Sequence, residues 1–107
     1  MVELWPKEYA QFWRLWALGE YFECHEVLEV AWRSETDSLR KRFLQGLIHC
    51  AVALVHVERE NSVGAARQLA KARAKLMDAR AEFFTGSGYD CDTLLEFVKA
   101  QVEKISR

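Results

Sequence analysis

The stretch Phe43 to Val57 runs for fifteen residues without a formal charge, and it dictates most of what this chain can become. It falls short of the roughly 20 apolar residues that cross a bilayer, and it contains Gln45, His49 and His56. A helix apolar nearly all round belongs at the centre of a bundle, with other helices packed on several sides. Its three polar side chains are not scattered. At about 100° per residue, His49 lies near 40° from Gln45 and His56 near 20°, so the three share one stripe. Buried imidazoles and amides are costly unless something bonds them. The stripe is therefore expected to meet polar groups on another helix.

A second stretch supplies such groups. Gly19-Glu20-Tyr21-Phe22-Glu23-Cys24-His25-Glu26-Val27-Leu28-Glu29-Val30-Ala31-Trp32 packs carboxylates and a histidine among bulky apolar residues. With His25 at zero, Glu29 falls near 40°, Trp32 near -20°, Tyr21 near -40° and Leu28 near -60°, all on one face. Glu26 lies near 100°, at the border of that face, and Glu23 near 160°. A cluster of His25, Glu26, Glu29, Gln45 and His56, with His49 beside it, is expected between the two helices. Tyr21, Glu23 and Trp32 would support it.

The remaining pattern is helical throughout. One Pro and five Gly in 107 residues leave few breakers. Pro6 suits the first turn of a helix, and Tyr9, Phe12, Trp13 and Trp16 follow on one stripe. Gly19 is a natural stop for this helix. The second helix is expected from about Tyr21 to Arg33, and the third from about Ser38 to Arg59, capped by Ser34, Thr36 or Asp37. Asn61-Ser62 opens a fourth, on which Ala65, Leu69, Ala72, Leu76, Ala79 and Phe83 form a narrow seam. Thr85 to Asp90 reads as a loop. Asp90 or Asp92 would cap a last helix with Leu95, Val98, Val102 and Ile105 on one face. No segment alternates like a strand. The fold class is all-α: a single compact antiparallel bundle of four to five helices over residues 1–107, with one modest core.

Charge and cysteine usage narrow the function classes. A formal net charge of -1 gives no global pull toward nucleic acid or an anionic membrane, and neither is an expected partner. Cys24, Cys50 and Cys91 are an odd set without CxxC spacing, which fits reduced thiols in a cytoplasmic protein. The acidic, aromatic start at Met1 to Glu8 is not expected to be a signal peptide.

Three readings of the polar residues compete. His25 to Glu29 spells HExxE, and His with carboxylate one turn apart can bind an ion. A divalent metal is then the implied cofactor. Glu26 would be the base of a small metal-dependent hydrolase. The blander reading is an internal network that fixes the packing of two helices. The third is a non-catalytic interaction module. Four Trp and six Phe are hard to bury in so short a chain. Trp5, Trp13, Trp16 or Phe84 could then face a partner, including a second copy in a homo-oligomer. Cys24–His25 and His49–Cys50 are sequence neighbours, which point about 100° apart on a helix and form no dyad. Arg67, Lys71 and Lys75 step along the fourth helix, but Asp78 and Glu82 dilute them, so they read as a solvated face.

At these residues the chain resembles a known group, the bacterial and archaeal domain-of-unknown-function family 309. The likeness rests on Gly19 to Glu29 followed by Trp32, then on Phe43-Leu44-Gln45-Gly46-Leu47-Ile48, Ala51 to Leu54 and His56. It continues in Asn61, Gly64 and Ala65, with a weaker echo in Gly88-Tyr89-Asp90. The resemblance implies a compact all-α bundle and brings no established activity, substrate or cofactor. It marks Tyr21, Glu23, His25, Glu26, Glu29, Trp32, Gln45 and His56 as signature positions. The chain departs from the family pattern at His49, where Gln or an apolar residue is expected, and at Cys24, where a small residue is usual. A metal site that depends on His49 would therefore be particular to this chain.

Overall fold

A computed structural model describes residues 5–106. Five α-helices follow one another: α1 (Lys7–Ala17), α2 (Tyr21–Ser34), α3 (Ser38–Glu58), α4 (Ser62–Leu76) and α5 (Cys91–Ile105). A short 3₁₀ turn, Ala81–Phe84, precedes α5. No strand occurs among the described residues. The molecule measures 48 × 25 × 23 Å. As the apolar run demands, α3 is central, packed against α2, α4 and α5. Gly46 of α3 faces Leu76 of α4, and His49 faces Gln68. This pairing in reverse order makes α3 and α4 antiparallel.

Local chemistry sets the helix ends. Gly19 (φ 77°) closes α1, with its N–H donating to Trp16 O and the Glu20 N–H to Leu15 O. The same pair of bonds closes α3, from Glu60 N–H to Val57 O and from Asn61 N–H to His56 O. There the left-handed position is held by Glu60 (φ 55°) rather than glycine. Asp37 caps α3, accepting from Arg40 N at 2.8 Å, and Asn61 caps α4, accepting from Gly64 N at 3.0 Å. Of the two candidates for α5, Asp90 is the cap, accepting from Thr93 N at 2.7 Å. This bond holds its carboxyl below the ordinary range.

Two expectations need correction. The small-residue seam does not continue as helix to Phe83, because α4 stops at Leu76. Neighbouring residues on an α-helix point about 100° apart, whereas Phe83 and Phe84 are both buried. The tighter turn seats both rings on Phe43, at centroid distances of 5.2 and 4.9 Å. The Tyr9 hydroxyl fixes that turn by donating to Phe83 O at 2.6 Å. Nor are three of the four aromatics at issue free to face a partner. Trp13, Trp16 and Phe84 are buried in the core, and Trp5 is half-buried, stacked on Tyr9 at 4.5 Å. A continuous aromatic layer of Trp5, Tyr9, Trp13, Trp16, Tyr89 and Phe97 absorbs them.

Candidate functional site

On α3, the residues from Phe43 to Val55 are buried except Gln45, His49 and Val52. With His56, these step by four, three and four. The polar stripe inferred from the sequence is therefore real, but it is the outer ridge of α3. Neighbouring helices cover the other faces of α3, and the polar residues take the strip left open. Among the described residues no polar or charged side chain is buried in the core.

The inter-helix pocket expected for His25, Glu26, Glu29, Gln45 and His56 is replaced by separate pairings. His25 makes an i,i+4 pair with Glu29 (Nε2 to Oε1, 3.8 Å) and meets the Phe22 ring edge-on at 4.9 Å. Among the described residues its Nδ1 is buried without a hydrogen-bond partner, as is Trp32 Nε1. Glu23 and Glu26 are exposed. Tyr21 packs its ring on Trp16 at 5.2 Å, and burial, aided by Glu58, pushes its phenol up. His49 Nδ1 meets Gln68 Oε1 of α4 at 2.7 Å. A carboxamide oxygen only accepts, so Nδ1 carries the proton. His56 Nδ1 lies 3.2 Å from Asn61 Nδ2, at the turn that joins α3 to α4. Here the amide donates and the ring nitrogen accepts. A Cβ at Gly64 would fall 2.9 Å from that nitrogen and 2.7 Å from the Asn61 amide. His56, Asn61 and Gly64 thus build a turn.

Gln45 and Trp32 do converge. They line an open cleft of about 430 Å³ with Ser38, Leu39, Lys41, Arg42, Lys75 and Asp78. The Lys41 ammonium lies 4.7 Å above the Trp32 ring. Arg42 donates to Ala74 O at 3.0 Å and pairs with Asp78 at 3.7 Å. The cleft occupies the shared end of α2, α3 and α4. Gln68 was missed from sequence, and Lys75 was read there as part of a solvated face, because its i,i+4 spacing from Lys71 is that of any such helix.

Among the described residues no three His, Cys, Asp or Glu side chains are grouped to hold a metal ion. The HExxE segment brings together His25 and Glu29 and leaves Glu26 in solvent. Burial pushes the Cys24, Cys50 and Cys91 thiols up, away from the thiolate that a nucleophile requires. No described helix is long and apolar enough to cross a membrane.

A family model described as a domain of unknown function (DUF309) matches residues 9–68. The chain belongs to this family. It is similar to the uncharacterized protein YpuF of Bacillus subtilis (strain 168), with 36% identity over 103 residues. The match covers 95% of this chain and 59% of YpuF, so the chain spans about three fifths of that relative's length. No solved structure matches. The part matched by the DUF309 model takes in α1, α2, α3 and α4 as far as Gln68. It contains all three histidine pairings, but not Lys75 or Asp78 of the cleft.

His49 gives a pH-dependent prediction. Burial, with Lys71 and Lys75 nearby, holds its imidazole below the ordinary value, and the bond to Gln68 opposes this only in part. The folded state therefore favours neutral His49. As pH falls below about 6.5 the unfolded chain takes up this proton first. The His49 contribution to stability is thus full above that pH and is lost as pH falls through the lower folded-state pKa. Urea melts from neutral to mildly acid pH should show wild type losing stability faster than His49→Gln. Equal pH dependence in the two proteins would refute this account.

Proposed function

We propose that this DUF309 chain is a non-catalytic helical interaction module that works through the outer ridge of α3 between α2 and α4. One observation carries the reading. Every polar side chain on the most apolar helix, from Gln45 through His49 to His56, lies on its solvent-facing strip, while the described core holds no polar residue. A bundle with an all-apolar interior acts through its surface, and this ridge is where α3 reaches it. The high thiol pKa values and the separately paired histidines support binding over catalysis.

Lysine-directed cross-linking in cells tests the reading. Cross-links to other proteins should concentrate on Lys41, Lys71 and Lys75, which flank the ridge, rather than on Lys99 and Lys104 of α5. An even spread over these five positions and Lys7 would overturn it.

A further inference from the structure

The cleft at the shared end of α2, α3 and α4 combines charge with apolar surface. Its lining holds three cations, Lys41, Arg42 and Lys75, against one carboxylate, Asp78. The chain as a whole has 15 basic and 16 acidic residues, so this excess is local. Arg42 and Asp78 satisfy one another, and Arg42 is further tied to Ala74 O. That leaves Lys41 and Lys75, one on each wall, with no carboxylate among the described residues within ion-pair distance. Lys41 is held in the cleft by the Trp32 ring. Leu39, 40% exposed, adds apolar surface beside that indole. Gln45 also lines the cleft, able both to donate and to accept.

From this charge complementarity we propose that the cleft is a docking site for an acidic peptide segment of a protein partner. Carboxylates of the segment pair with Lys41 and Lys75, and an apolar side chain between them packs on Trp32 and Leu39. The Gln45 carboxamide bonds the segment's backbone. Two ammonium groups set across an open, indole-walled cleft match alternating acidic and apolar side chains. The inference rests on the interaction-module reading and names the chemistry of the partner.

The test is titration of a dye-labelled, Glu-rich peptide carrying one Leu and one Phe, followed by fluorescence anisotropy. Wild type should bind it saturably, and added salt should weaken binding, because charges are screened beyond roughly 10 Å at 0.1 M. The double substitution Lys41→Glu with Lys75→Glu should weaken binding by roughly tenfold or more. Lys99→Glu with Lys104→Glu changes the net charge equally and should leave binding within about twofold. The indole N–H resonance of Trp32, assigned through Trp32→Phe, should shift on binding while those of Trp13 and Trp16 stay in place. Circular dichroism checks that each variant is folded, and the milder Lys41→Gln and Lys75→Gln should each show part of the loss.

Four results would overturn the proposal: no saturable binding by wild type, equal weakening by the two double variants, a single-stranded oligonucleotide competing more tightly for the cleft, or a wild-type dimer that Lys41→Glu dissolves. If peptide binding fails while cross-links still concentrate on Lys41, Lys71 and Lys75, only the acidic partner is wrong. If both fail, the module reading falls as well.

Discussion

Truncating Phe43 to alanine is expected to destabilise the chain by about 3–5 kcal/mol. Phe43 is 1% exposed. Its ring meets Trp5 at 5.7 Å, Tyr9 at 6.3 Å, Phe83 at 5.2 Å and Phe84 at 4.9 Å. The one side chain thus ties α3 to α1 and to the 3₁₀ turn. A domain of this size has a total stability of roughly 5–15 kcal/mol, so the loss would consume much of the margin. Urea unfolding with an unchanged m-value should report it as a fall in midpoint. Phe43→Leu, which keeps more of the volume, should lose less. A second signal comes from Tyr9, whose phenol burial pushes up to about 12. Loosening its seat against Phe83 should bring its titration, followed by ultraviolet absorbance, back toward about 10. A loss below about 1 kcal/mol with Tyr9 unmoved would mean that Phe43 is not the tie described.

The fold was legible because helix signals are local. The apolar run of Phe43 to Val57, the stop at Gly19 and the caps at Asp37, Asn61 and Asp90 each need only a few neighbouring residues to be read. The break after Leu76 was not legible. The seam of Ala72, Leu76, Ala79 and Phe83 keeps helical spacing, and only the distant rings of Tyr9 and Phe43 require Phe83 and Phe84 to turn in together. The site was half legible for a related reason. Periodicity states that Gln45, His49 and His56 share a face, but not which helix that face meets. A stripe a few residues wide can be an interior seam or the strip that neighbours leave open. On α3 it is the latter, because α2, α4 and α5 occupy the remaining circumference. His49 then finds Gln68 across the groove and His56 finds Asn61 at the turn. Gln68 is indistinguishable in sequence from an ordinary surface amide, and Asn61 reads only as a helix cap.

Substituting Gly46 should also destabilise the fold, and it would connect core packing to the cleft. A Cβ at this position would fall 2.6 Å from Leu76 Cγ, 2.7 Å from Leu76 Cδ2 and 3.2 Å from Lys75 Cβ. Leu76 is fully buried and cannot swing aside. Overpacking of this kind costs about 1–3 kcal/mol, and Gly46→Val, with two further methyls in the same gap, belongs at or above the top of that range. Gly46→Ala should be milder, since alanine recovers about 1 kcal/mol of helix propensity inside α3. Relief by separation of the helices would carry Lys75 away from Lys41, so Gly46→Ala should also weaken any ligand of the cleft more than its stability change alone implies. The clash itself is isolated by a double-mutant cycle with Leu76→Ala, which alone should lose about 2–5 kcal/mol by leaving a cavity. The alanine at residue 46 would then sit in the space that Leu76 vacates. The two losses should therefore fall short of additivity by about 0.5–3 kcal/mol, the usual range for side chains in contact. Strict additivity would show that α3 and α4 do not meet at Gly46.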